Sequence, residues 1–300
     1  MAELAPNEHV NVVVQEEEVS SPWKEAWKTF RKNKIALVGA AIVLFFIVIA
    51  IAAPLIAPEG INEQKLEVEE RLQPPSSEHW FGTDDFGRDI FSRVIYGARI
   101  SLWVGFFSVV GSVIIGSLLG ILAGYYGRWV DTIISRLFDI MLAFPSILLA
   151  IAVVAVLGPS LQNALIAIAI INVPNFGRLI RSKVLSVKQE EYVMAAKAIG
   201  MSDARILFHH ILPNSMAPII VQGTLAIATA IIEAAALGFL GLGAEAPTPE
   251  WGKMLADSRA YLIQAPWTMI FPGLAIMLTV LGFNLMGDGL RDALDPRMKN

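Results

Sequence analysis

The chain has 300 residues, 55% of them hydrophobic and only 17% charged, with a mean hydropathy of +0.59. A soluble domain carries about a quarter charged residues, so this is the composition of a membrane protein. There is no cysteine, which excludes disulfides and thiolate metal sites, and a net charge of −4 gives no reason to expect a nucleic-acid partner.

Residues 1–34 read as a cytoplasmic tail and a basic interfacial segment. Residues 1–21 are polar and acidic, with Glu16, Glu17 and Glu18 in a row. Trp23, Trp27 and Phe30 then fall on one helical face, surrounded by Lys24, Lys28, Arg31, Lys32 and Lys34. Such a segment suits a surface of anionic membrane lipid. Residues 35–57 carry no charge and span roughly 35 Å as a helix, enough for one crossing. The run is too long for a signal-peptide core. The basic cluster before it places the N-terminus in the cytoplasm.

Residues 58–99 read as an extracytoplasmic loop. Gly82 and Gly87 flank Thr83, Asp84 and Asp85 in a turn-forming cluster, and Asp89 is placed to cap a short helix. Asp84, Asp85 and Asp89 lack the full ligand set of a calcium loop, so a solvated turn is preferred to a metal site. Residues 100–290 read as a five-helix core. Its first crossing, residues 100–127, repeats glycine at 116, 120 and 124, which lets another helix approach closely. Arg128, Asp131 and Arg136 are expected in a short inside loop.

Residues 140–177 contain no charge, and one helix of that length would be about twice as long as the bilayer is thick. The Gly158-Pro159-Ser160 turn divides the run into two crossings. Pro145 and Pro174 are helix breakers inside it, and Asn172 and Asn175 must face protein or water. Arg178, Arg181, Lys183 and Lys188 place the next segment inside.

Residues 189–214 form the long polar, amphipathic stretch of the apolar half. Tyr192, Ala195, Ala196 and Ile199 recur at helical spacing, with Glu190 and Glu191 in the first turn. Gly200 can end that helix in the left-handed conformation. Ser202 is a candidate N-cap, with Asp203 in the next first turn. Ala204, Leu207, Phe208 and Ile211 repeat the spacing, His209 and His210 close the second helix, and Pro213 is expected to stop it.

Residues 216–242 are the fifth crossing, interrupted by Glu233. An ionisable group in a crossing is a functional candidate by default; the rival reading is a hydrogen-bonded carboxyl that fixes helix packing. Residues 243–266 return outside, where Trp251, Tyr261 and Trp267 suit an interfacial belt. Residues 267–286 are the sixth crossing. Asp288, Arg291 and Asp292 suggest a charge cluster at the cytoplasmic rim, and residues 291–300 form the cytoplasmic C-terminus.

The stretch Met194-Ala195-Ala196, three residues, Gly200, nine residues, His210-Ile211-Leu212-Pro213 resembles the EAA loop of ABC-importer permeases. Met194 stands where Glu is usual and His210 where Ile is usual. The fuller string YVxAAxAxGxSDxRIxxxHILPN is similar to the dipeptide and oligopeptide permeases, specifically the C-type partner with an N-terminal extension. The strings GTDDFGRD, YGARISL, APTPEWGKML and GDGLRDALDPR carry the resemblance from the basic segment to the C-terminus.

The resemblance implies an all-α polytopic fold of six transmembrane helices, type I permease-like, with both termini cytoplasmic in the inner membrane. It implies that residues 189–213 are a coupling helix pair, with Tyr192, Ala195, Ala196, Gly200, Ser202, Asp203, His210, Leu212 and Pro213 as coupling residues. It also implies a homologous second permease, two ATP-binding cassette subunits that hold ATP and Mg2+, and an extracytoplasmic solute-binding protein. Peptides are the implied substrate, with nickel or another small solute as the alternative within the family. No phosphate-cradling G-x-x-x-x-G-K-[ST] string is present, so nucleotide chemistry is expected on other subunits and no enzyme activity here. An ion-driven transporter using Glu233 or Asp139 is the reading of a different class; it lacks the internal repeat such proteins usually show.

Overall fold

A computed structural model describes residues 22–60 and 70–294. The acidic tail over residues 1–21, and Arg297 and Lys299 near the C-terminus, lie outside these residues. The described residues are helical apart from loops and one isolated bridge between Thr83 and Asp89.

Helix α1 (Pro22–Lys32) leads into α2 (Lys34–Ile56). Asn33 caps α2 by accepting from the Ile35 and Ala36 amides, both at 3.1 Å. Ala26 and Phe30 are buried against Ala36 and Ala293, whereas Trp23 and Trp27 remain exposed. The expected aromatic face is thus split: Phe30 holds the segment to the bundle, and the two indoles point outward.

Helix α3 (Ile90–Tyr126) begins well before residue 100. Asp89 caps this long helix, not a separate short one, accepting from the Ser92 amide at 2.7 Å. Asp84 is tied to Arg88 at 2.6 Å and to Arg93 at 3.4 Å, so this turn is set by ion pairs. No cluster of three potential metal ligands occurs among the described residues.

Arg128, Asp131 and Arg136 lie on a helix, α4 (Arg128–Leu142), rather than in the expected loop. Helix α5 (Ser146–Leu157) comes next at a bend of 96°, with Pro145 at its N-cap position. The charges that suggest a loop instead bind α4 to the next helix, α6 (Leu161–Val187). Arg181 Nε donates to Asp131 at 2.5 Å and Arg178 Nη2 to Asp139 at 2.6 Å. Pro145 breaks the run as expected. Pro174 does not, and sits buried within a continuous α6. The turn at residues 158–160 falls as expected, with Ser160 capping α6 through the Asn163 amide at 3.1 Å.

The glycine stripe of α3 lies against α6. A Cβ at Gly116 would sit 2.7 Å from the Val173 carbonyl oxygen, and one at Gly124 would sit 2.8 Å from Val184 Cβ. Nothing larger than glycine allows that approach.

After α6 come α7 (Glu191–Ala198), α8 (Asp203–Ile206), a π-turn over Leu207–Ile211 and α9 (Leu212–Phe239). Helix α10 (Trp251–Asp257) and a 3₁₀ turn over Ser258–Tyr261 fill the next loop before α11 (Trp267–Leu294). Trp251 is fully buried and meets Phe46 edge-on at 5.8 Å, with its indole N–H on the Val94 carbonyl at 3.0 Å. It is a core residue, not a member of an interfacial belt. Trp267 is half-buried and donates to the Thr83 carbonyl at 3.3 Å. No ion pair joins Asp288, Arg291 and Asp292 among the described residues.

Among the described residues five helices are long and apolar enough to cross a membrane, with α8 to α9 counted as one, and the number rises to six where the bent α4–α5 pair is taken as one span. The distribution of Lys and Arg places α1, α7, α8 and the end of α11 on the cytoplasmic side.

Candidate coupling site

The α7–α8 pair is built around Gly200. Its φ of +80° is one an L side chain adopts only with strain. The Gly200 amide reaches the Lys197 carbonyl and the Met201 amide the Ala196 carbonyl, both at 3.1 Å. These two bonds are the Schellman pattern that satisfies the last carbonyls of a helix. A Cβ at Gly200 would meet nothing within 4 Å, so backbone conformation, not space, demands glycine here.

Val193, Ala196, Ile206 and Ile211 are buried in one cluster with Tyr125, Ile180, Val184 and Ile219. The pair is therefore seated on the cytoplasmic ends of α3, α6 and α9. The buried faces are rotated from those read in the sequence. Of the first set only Ala196 is buried, and of the second only Ile211. Leu207 is half-buried against the same cluster, whereas Tyr192 is 43% exposed, Met194 55%, Phe208 66% and Ile199 80%.

Pro213 does not end the second helix. Leu212 donates to the Leu207 carbonyl, one residue beyond the α-helical partner, and Pro213 then enters the first turn of α9. Proline is tolerated in a first turn because its missing N–H is not required there. The π-turn thus joins α8 to α9 without a break. Asn214 Nδ2 donates to the His210 carbonyl at 2.6 Å, and the Ser215 hydroxyl to the Ile211 carbonyl at 2.9 Å. The Tyr192 and His210 rings lie 5.9 Å apart, and Asn214 Nδ2 also donates to Tyr192 Oη at 3.1 Å. These contacts join α7 to the far end of the π-turn.

Ser202 occupies the N-cap position of α8 but makes no capping bond with its side chain. Asp203 accepts from Tyr125 Oη at 2.5 Å. Leu212 is half-buried, while Ala195 and Pro213 are exposed. Tyr125 is a partner of the pair that the spacing of residues 189–214 does not reveal, and Lys188 in turn holds Tyr125. Their placement at the ends of two neighbouring crossings is the one signal of them in the sequence.

The remaining candidates lie elsewhere. Asn172 Nδ2 donates to Glu233 Oε2 at 3.0 Å, joining α6 to α9 with both side chains buried. Asn175 is exposed on this chain. Asp139 is half-exposed and paired with Arg178.

The family described as "Binding-protein-dependent transport system inner membrane component" matches residues 116–300, and the "N-terminal TM domain of oligopeptide transport permease C" matches residues 21–75. The chain is 69% identical over 280 residues to the dipeptide transport system permease protein DppC of Alkalihalophilus pseudofirmus, covering 93% of this chain and 91% of that one. It is 52% identical over 287 residues to the glutathione transport system permease protein GsiD of Escherichia coli O157:H7, covering 96% and 94%. In fold it is similar to a chain of the inward-facing MetNI methionine ABC transporter, with a TM-score of 0.55 at 18% identity over 69% of this chain and 98% of that one. The chain therefore belongs to the binding-protein-dependent transport system inner membrane components, the permeases of ABC importers, and is a multi-pass protein of the inner membrane.

Proposed function

We propose that this chain is one of two homologous membrane subunits of an importer for dipeptides and oligopeptides. Two separate ATP-binding cassette subunits, holding ATP and Mg2+, drive it, and an extracytoplasmic binding protein delivers the substrate. The observation that carries this reading is the α7–α8 pair, anchored by one apolar face and presenting Met194, Ile199 and Phe208 on the other. A short helix with an unpartnered apolar face suits insertion into a groove on another subunit.

In this mechanism the pair is a lever. ATPase closure shifts the docked pair, and the pair shifts the ends of α6 and α9 that enclose it. The Gly200 turn keeps α7 and α8 at a fixed angle, so a push on one reaches the other. Binding can drive the switch only if the docked pair fits one ATPase arrangement better than the other. The substrates in the names of two relatives, dipeptide and glutathione, support a peptide cargo. Asp139 and Glu233 both have partners within the chain, which suits packing roles better than that of a mobile proton carrier.

The test is uptake into vesicles that hold both permeases and both ATPases, with binding protein and labelled dipeptide outside. The expected result is uptake that requires ATP on the ATPase side. Uptake driven by an imposed proton gradient without ATPases would overturn the reading, and transport of nickel but not peptide would overturn the substrate class.

A further inference from the structure

Tyr125 lies in the last turn of α3, just before its final residue, and stands beneath the coupling pair, 7% exposed. It is held from two directions. Its hydroxyl donates to Asp203 Oδ1 in the first turn of α8 at 2.5 Å. Its backbone carbonyl accepts from Lys188 Nζ at 2.6 Å, and the same ammonium lies 5.4 Å from the centre of the Tyr125 ring. Lys188 is the C-cap residue of α6, just before the pair begins. The carbonyls of a last helical turn have no partner within the helix, and a cation there is favoured by the helix dipole. One residue thus touches both Lys188, which enters the pair, and the first turn of its second helix.

The surroundings give this contact mechanical weight. Next to Tyr125, Gly124 lies against Val184 of α6, and the glycine stripe continues that contact up the membrane. The α3–α6 unit is therefore closely packed, whereas the pair reaches it mainly through the apolar cluster. Apolar contact is non-directional and tolerates sliding. The Tyr125–Asp203 bond is directional and involves a charge, so it fixes where α8 sits relative to α3.

We propose that Tyr125, with Lys188 beneath it, is the positioning residue that transmits movement of the coupling pair to α3. This proposal rests on the coupling reading given above. Movement of α8 would pull α3 through the Asp203 bond, and Lys188 would keep the end of α6 in register with it. Without the bond, α8 still docks on the ATPase but slips on its apolar seat, and ATP is hydrolysed with little transport.

The experiment measures peptide imported per ATP hydrolysed, in vesicles holding the full complex and binding protein. Tyr125→Phe keeps the ring and its burial and removes only the hydroxyl. The expected result is assembled complex, retained ATP hydrolysis and a fall of about tenfold in the ratio, the scale of one lost hydrogen bond to a charged group. Asp203→Asn keeps an acceptor and should retain most of the ratio, whereas Asp203→Ala should match Tyr125→Phe. Adding Tyr125→Phe to Asp203→Ala should cost nothing more. A merely structural role would lower assembly and leave the ratio of the surviving complexes unchanged, and that outcome overturns the proposal. A wild-type complex that imports no peptide with ATP would overturn the coupling reading itself, so the two failures are distinct.

Discussion

At the outer end of the bundle, α10 is wedged among α3, α9 and α11 by backbone contact. At the inner end, α7 and α8 meet the bundle through one apolar cluster and a few polar bonds. Outside, Glu250 caps α10 through the Gly252 and Lys253 amides, both at 2.8 Å, and accepts from Ser101 at 3.5 Å. Arg93 reaches the Pro247 carbonyl at 3.2 Å and Asp84 at 3.4 Å. Trp251 fills the space between α2 and α3. Inside, four large apolar side chains of the pair remain exposed, and Gly200 and Ser202 are open to solvent. The contrast teaches a division of labour. Directional bonds and close backbone contact make the outer end a fixed frame, whereas an apolar seat leaves the inner end able to shift against its neighbours and to accept a partner.

The strongest way to break this comparison is Gly252→Ala. The added Cβ would collide with the Ala235 backbone, whose carbonyl carbon would be 2.7 Å away. Overpacking of this kind costs about 3 kcal/mol. The complex in detergent should show a large fall in thermal midpoint and poor assembly; wild-type stability would mean the outer frame is softer than described.

At the inner end, Gly200→Val should give the opposite pattern. The left-handed backbone costs an L residue about 1–2 kcal/mol, and valine is branched as well. The chain should insert and assemble, yet lose both uptake and substrate-stimulated ATP hydrolysis. Gly200→Asn should retain more of both, because asparagine tolerates this conformation. Wild-type activity for the valine variant would refute the role given to the turn.

A smaller effect concerns Glu250. Burial is the largest cause of a raised carboxyl pKa here, outweighing the amide bonds that lower it. The folded state therefore favours the protonated form relative to the unfolded chain. This contribution to stability is fully present below the ordinary pKa of 4.5 and is lost as pH rises from there through the raised value. Thermal midpoints from pH 4.5 upward should fall less steeply for Glu250→Gln than for wild type; parallel curves would contradict the sign. The smallest effect is expected inside the bundle, at the contact between α6 and α9. Glu233→Gln keeps an acceptor for Asn172, so transport should be only mildly reduced. Complete loss with normal assembly would assign Glu233 an ionised role.

Much of this fold is legible in the sequence, because membrane crossings are written as long uncharged runs and their ends as charges. The turn at Gly158-Pro159-Ser160, the Gly200 turn and the glycine stripe each depend on a local backbone requirement that only certain residues meet. The features that escape depend on partners distant in sequence. Asp131 looks like a loop charge, but its arginine lies on α6, as does that of Asp139, so α4 can form. Trp251 has the composition of a belt residue, but Phe46 and the Val94 carbonyl enclose it. Pro213 usually signals a stop, but the π-turn shifts the register so that it falls in a first turn. At the candidate site the elements are legible and their faces are not, since apolar spacing cannot say which apolar face meets the chain and which meets a partner.

The central claim is that the α7–α8 pair is gripped on the cytoplasmic side by another subunit. The chain has no cysteine, so a single cysteine introduced as Ile199→Cys is an unambiguous reporter. In intact cells it should resist a membrane-impermeant thiol reagent, and in the assembled complex it should cross-link to an ATPase subunit. Labelling from outside the cell, or cross-linking to every neighbour but the ATPase, would contradict the account.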